Sequence, residues 1–150
     1  GTGHTEYAVY SEDSETWEKN MARLKLKFET AVKYVPGPEV DNARGAKVGI
    51  IAYGSTDPAI NEARDYLDDE GLKTNYMRLR AVPFTNDVRK FIEKNDMTYV
   101  VEMNRDGQMH KLLQLDYPDL YSKMHSLTKH DGLPMNARWV KESVLAEEQN

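Results

Sequence analysis

Apolar positions follow two regimes along this chain. Between Asp13 and Val35 they recur at Trp17, Met21, Leu24, Phe28, Ala31 or Val32, and Val35. Steps of three and four residues place them on one stripe of a helix. The spacing predicts a helix of about 22 residues, roughly 33 Å long at 1.5 Å per residue. Ser11 or Asp13 is placed to cap its start, and Glu12 and Glu15 lie near the positive end of its dipole. Lys19, Arg23, Lys25, Lys27 and Lys33 crowd its later part, and Pro36-Gly37-Pro38 stops it. The residues before it, through Ser11, show no period.

From Lys47 onward, short apolar runs alternate with helical periods. Val48–Tyr53 reads as a buried parallel strand ending at Gly54. Asp57 is placed as an N-cap with Pro58 in the first turn, Ala59, Ile60, Ala63, Tyr66 and Leu67 form an apolar face, and Gly71 ends that helix. Thr74–Leu79 alternates as a second strand. Pro83-Phe84-Thr85-Asn86 then turns into a helix carrying Val88, Phe91 and Ile92. Thr98–Met103 reads as a third strand. Met109, Leu112, Leu113 and Leu115 suggest a helix closed by Pro118, and Lys123–Thr128 a fourth strand. Asn136 caps a last helix whose face is Ala137, Val140, Val144 and Leu145. The order βαβαβα(β)α predicts an α/β fold, a mostly parallel sheet with helices on both faces. Residues 1–44 are expected as an N-terminal arm with a long helix and a Pro-Gly-Pro linker, and residues 45–150 as the α/β domain.

Composition narrows the function. With 150 residues and 39% apolar content, the chain fills one core. A net charge of −5 argues against a nucleic-acid partner, which calls for a basic stripe, and against an anionic membrane surface. No apolar run reaches the length of a bilayer span, and no secretory leader is expected. The chain has no cysteine, so it has no disulfide, no thiolate metal site and no thiol nucleophile of its own; a cytoplasmic location is expected. A first residue of Gly1 rather than Met is expected of a piece cut from a longer protein.

Ligands of open parallel sheets sit at strand carboxyl ends. Here those ends are Gly54-Ser55-Thr56-Asp57 and Glu102-Met103-Asn104-Arg105-Asp106-Gly107, followed by Gln108. The first segment lacks GxGxxG and GxxxxGK[ST], so its plain reading is an ordinary strand-to-helix turn. Glu102, at the end of an apolar strand, calls for a partner, and structural pairing explains it better than acid–base catalysis. His4, His110, His125 and His130 form no HxH or HExxH pair, so no metal site is expected. No catalytic or cofactor-binding residue is assigned. Gly54, Ser55, Thr56, Glu102, Asn104, Gly107 and Gln108 are candidate interface or loop residues.

The ordered motifs carry a resemblance. Val48–Gly54, Met77–Phe84 and Tyr99–Glu102 look like the C-terminal domain shared by transketolase and the beta chains of 2-oxoacid dehydrogenases. His4-Thr5-Glu6-Tyr7, Ser11-Glu12-Asp13, the basic helix, Pro36-Gly37-Pro38-Glu39-Val40, Val100–Asn104, Gly107-Gln108 and Lys129–Pro134 together resemble more closely the alpha subunit of 2-oxoacid:acceptor (ferredoxin) oxidoreductases, of the 2-oxoglutarate type. The resemblance implies a three-layer α/β/α domain with one antiparallel strand, which the segment near Glu39–Asn42 would supply. It implies an intact enzyme that converts a 2-oxoacid and coenzyme A to acyl-CoA with ferredoxin as acceptor. That enzyme uses thiamine diphosphate, magnesium (Mg) and an iron–sulfur cluster, all held outside this chain. Its partners here would be the rest of the alpha subunit and the beta subunit. This chain would then be a structural and assembly domain, inactive alone. The competing expectation is a free-standing Rossmann-like module that binds a nucleotide or small molecule. A homodimer through the Trp17–Val35 helix is a third possibility.

Overall fold

The computed structural model describes residues 2–149. The chain divides into two compact units, one formed by the residues up to Pro36 with Val82–Phe84, the other by Gly37–Ala81 and the residues from Thr85 onward.

In the first unit, β1 (Gly3–His4) pairs antiparallel with β2 (Tyr10–Ser11), and α1 runs over Ser14–Ala31. Strands of two residues are too short to show a period, so the sequence does not announce this hairpin. Asp13 is the N-cap and accepts the Thr16 amide at 2.8 Å. The helix stops at Ala31, four residues short of the predicted end. The Tyr34 and Val35 amides still donate to the Ala31 carbonyl at 2.9 and 3.0 Å, closing a turn. Pro36 disfavours helical geometry at Val35 and accounts for the early stop.

The second unit holds a five-stranded sheet: β3 (Glu39–Asp41), β4 (Val48–Tyr53), β5 (Thr74–Leu79), β6 (Met97–Glu102) and β7 (Met124–Thr128), in the order β3-β5-β4-β6-β7. Its helices are α2 (Asp57–Asp69), α3 (Asn86–Lys94), α4 (Gln108–Asp116) and α5 (Ala137–Glu148). β5, β4, β6 and β7 are parallel. β3 alone is antiparallel, pairing Glu39 with Arg78 and Asp41 with Tyr76. It is the strand that the family resemblance implied near Glu39–Asn42. Local periodicity misses it because all three residues are exposed. Ion pairs from Arg78 and Arg80 to Glu39, and from Arg64 to Asp41, hold it at the edge.

Alternation along the strands sorts two faces. Val48, Ile50, Ala52, Tyr76, Tyr99, Val101 and Leu127 pack with Ile60, Ala63 and Leu67 of α2 and Ala137, Val140 and Val144 of α5. Ile51, Met77 and Val100 point the other way and are fully buried. α3 covers that face: a Cβ on Gly49 would lie 2.9 Å from the Phe91 ring. The result is three layers, as expected of the fold class.

Two local expectations shift. Asp57 is not the N-cap of α2 but its first residue, because Gly54–Thr56 forms a 3-10 turn that leads straight into the helix. Its carboxylate accepts from the Tyr76 hydroxyl at 2.9 Å instead. After α4, Pro118–Lys123 forms a 3-10 helix that the pattern does not reveal. Gly71, at φ +85°, ends α2 with the Leu72 amide donating back to Leu67, and Asn136 caps α5 by accepting the Trp139 amide at 2.9 Å.

Candidate functional site

The strand order places a topological switch between β4 and β6. β4 leads into α2 on one face of the sheet, and β6 leads into α4, whose first turn lies on the other. In open α/β sheets the crevice at such a point is where ligands bind. The two candidate segments flank it.

Glu102 ends β6 and is completely buried. Its carboxylate accepts the backbone amides of Met109 (3.0 Å, Oε2) and His110 (3.1 Å, Oε1) in the first turn of α4. The Asn104 side-chain amide donates to the same carboxylate. The Tyr53 hydroxyl, from the end of β4, lies 3.4 Å from Oε2, and the Asn104 amide is 3.2 Å from that hydroxyl. The Asn104 carbonyl accepts the Gln108 amide at 3.0 Å. A negative group at a helix N-terminus is favoured by the orphan amides and by the helix dipole. Here the chain supplies that group itself.

Gly107 makes the arrangement possible. Its φ is +58°, and a Cβ there would lie 2.6 Å from Ser126 Oγ and 3.7 Å from Glu102 Oε1. The left-handed turn folds the chain back so that α4 starts over the Glu102 carboxylate. Burial pushes the Tyr53 hydroxyl above its ordinary pKa, with the Glu102 charge as the second cause, so Tyr53 stays a donor.

Glu102, Asn104, Gly107 and Gln108 are thus brought together. Gly54 and Ser55 are exposed and Thr56 is buried, and among the described residues no hydrogen bond joins these three to the cluster. The link from β4 is Tyr53, which the sequence reading passed over as the last residue of a strand. A tyrosine at the end of an apolar run, facing a parallel strand that ends in Glu, is the signal that was available. The partners of Glu102 are two backbone amides, an amide side chain and a hydroxyl.

His110 follows in α4, its Nε2 3.4 Å from the Met124 carbonyl and 3.2 Å from Gln114. Burial pulls its imidazole below the ordinary value, opposed by the Met124 carbonyl and the Glu102 charge. The folded state therefore binds this proton less readily than the unfolded chain. That contribution to stability is intact above about pH 6.5 and is lost as pH falls through the lower folded value. His110→Gln is expected to flatten the fall in urea midpoint between pH 7 and pH 5; an unchanged slope would assign the fall to other groups.

Among the described residues, no group of three or more His, Asp or Glu side chains is arranged to hold a metal ion, and the sequence has no cysteine. No described helix is long and apolar enough to cross a membrane.

No family model matches the chain. It is 34% identical over 97% of its length to the 2-oxoacid:ferredoxin oxidoreductase subunit alpha of Saccharolobus solfataricus, and 31% identical over 90% to the 2-oxoacid:ferredoxin oxidoreductase 2 subunit alpha of Aeropyrum pernix. It spans only 24% and 22% of those two proteins, about a quarter of their length. Among solved structures, it is similar to the 2-oxoglutarate:ferredoxin oxidoreductase of Magnetococcus marinus. The TM-score is 0.74 and the identity 28%, over 96% of this chain and 25% of that one. A split-gene transketolase shares the fold, at a TM-score of 0.59 and 16% identity over 72% of this chain and 40% of that one. By sequence and by fold, this chain is a relative of the C-terminal part of the alpha subunits of 2-oxoacid:ferredoxin oxidoreductases.

Proposed function

We propose that the chain is a structural and assembly lobe of a thiamine-diphosphate-dependent 2-oxoacid:ferredoxin oxidoreductase, and that it breaks no bonds itself. The observation that carries this reading is the filled switch point. The α4 N-terminus is saturated by the Glu102 carboxylate, with Asn104 and Tyr53 closing over it. A free-standing nucleotide-binding module of this fold calls for an open helix N-terminus at the switch point to hold a phosphate, and that of α4 is closed. The residues present do not fit the enzyme's cofactors: the α4 N-terminus is occupied by Glu102, the first turn of α2 carries the Asp57 carboxylate, which opposes a diphosphate, no metal cluster is formed among the described residues, and no thiolate is available. In this reading thiamine diphosphate, magnesium and the iron–sulfur cluster are held by other parts of the enzyme. The lobe keeps the layers that hold them in register. The loops Gly54–Thr56 and Glu102–Gln108 meet the rest of the alpha subunit or the beta subunit. Coenzyme A and ferredoxin engage the intact complex, and a cytoplasmic location belongs to the same reading.

The test is assembly against chemistry. Met103, 43% exposed in the second loop, is an apolar side chain that a neighbour would cover. In the full-length enzyme co-expressed with its beta subunit, Met103→Asp is expected to cut recovery of the complex about tenfold. Turnover per assembled complex should stay within about twofold of the parent. Intact assembly with a fall in turnover alone would reject the assembly role.

A further inference from the structure

Lys129 is a lysine that the fold buries. It is 6% exposed and directly follows β7, where its amide donates to the Glu102 carbonyl at 3.0 Å and extends the parallel ladder. Strand alternation turns its side chain to the face on which Leu127 packs with α2 and α5. Met135 returns the chain to the same core, and residues 130–134 between them are exposed. The Lys129 ammonium ties that segment together. Its Nζ donates to the Asp131 carboxylate, and to the Leu133 carbonyl at 3.2 Å. Asp131 Oδ1 also accepts the Leu133 amide at 3.1 Å, and Gly132 makes the turn at φ +81°. Lys129 first, and the Leu133 amide second, hold the Asp131 carboxyl below its ordinary pKa, so the pair is ionised at neutral pH.

Stability does not account for this ammonium. Taking a charge out of water is costly. The carboxylate that answers it is 53% exposed, so solvent screens the attraction. A methionine has a similar unbranched stem and would fill the same space with no charge to desolvate. What lysine does that methionine cannot is fix Asp131 and Leu133 at once. A buried ionic group that adds no stability is retained in some proteins for the single conformation it selects. The segment so fixed stands at the carboxyl end of the sheet. Its first anchor, Lys129, is one backbone hydrogen bond from Glu102, where a loop proposed to meet neighbouring protein begins. Leu133 is held there through both its amide and its carbonyl.

We propose that Lys129 is a positioning residue for assembly: acting through Asp131 and Leu133, it fixes residues 130–134 in the shape that meets the same neighbour as Met103. This rests on the assembly reading and adds to it a third loop and the residue that sets its shape. Three variants of the full-length enzyme, co-expressed with its beta subunit, test it: Lys129→Met, Asp131→Ala and the two combined. Recovery of the complex reads assembly, and hydrogen exchange of β4 and β6 in the recovered alpha subunit reads the stability of the lobe. Lys129→Met is expected to keep exchange in those strands within about twofold of the parent and to speed exchange of residues 130–134 at least about tenfold. It should cut recovery about fivefold. Asp131→Ala leaves the buried ammonium without its carboxylate, so it should speed exchange in β4 and β6 as well. The double variant should regain the core protection of the parent while its recovery stays low. That split separates positioning from stability. Recovery that follows core protection across the three variants would overturn the proposal. So would faster exchange in β4 and β6 for Lys129→Met, or unchanged exchange of residues 130–134. Failure of the assembly reading looks different, since Met103→Asp would then leave the complex intact. If Met103→Asp cuts recovery and Lys129→Met does not, only the role of Lys129 falls.

Discussion

Glu102→Ala is expected to lower the unfolding free energy of the α/β unit by about 3–5 kcal/mol. The substitution removes the acceptor for the Met109 and His110 amides and for the Asn104 amide, and leaves them facing a cavity at a site with no solvent exposure. Each orphaned buried donor costs about 1–3 kcal/mol, and partial relaxation keeps the total below the sum. Glu102→Gln keeps the volume but turns an NH2 group towards donors, so it should lose about 1–3 kcal/mol. Urea titration with an unchanged m-value checks both. A loss below 1 kcal/mol for Glu102→Ala would mean that water replaces the carboxylate, and that the switch-point crevice is open rather than filled.

The second large effect is opposite in kind, an added atom rather than a lost one. Gly49→Ala is expected to cost about 2–3 kcal/mol. Gly49 lies in the middle of the sheet, and a Cβ there would stand 2.5 Å from Asn95 Nδ2 and 2.9 Å from the Phe91 ring. Neither neighbour is free to yield. Asn95 is fully buried, donates to the Phe91 carbonyl at 2.8 Å and accepts from Asn75 at 2.7 Å. Asn75 in turn bonds the Ala46 carbonyl and the Ala43 amide. Moving Asn95 therefore loosens the amide chain that ties the start of β4 to β5 and to the end of α3. Thermal or urea unfolding reads the loss directly; a neutral Gly49→Ala would show that α3 shifts away from the sheet at little cost.

Both predictions rest on features that strand and helix patterns do not display. Glu102 was legible as a polar residue at the end of an apolar strand, and hence as a residue in need of a partner. Two of its partners are main-chain amides, which carry no sequence signal. They are reached only because Gly107 reverses the chain. Tyr53 lies 49 residues away along the chain, and only the pairing of β4 with β6 brings its hydroxyl near. Gly49 looks like one more small residue in an apolar run until α3 is laid against it. The family resemblance reached further than periodicity did, since it implied an antiparallel strand at Glu39–Asn42 that three exposed residues could not advertise.

The sequence by itself determined the succession of strands and α-helices from Val48 onward, the cap at Asn136 and the stop at Gly71. These follow from side-chain period, short-range hydrogen bonding and the backbone freedom of single residues, all local in the chain. It also determined the apolar stripe of α1, because steps of three and four residues are visible within one segment of chain. Only the tertiary structure decided the strand order β3-β5-β4-β6-β7, the antiparallel edge, and the sealing of the switch point by Glu102. Those depend on which distant segments meet, and a buried carboxylate is stable only where several donors converge on it at once.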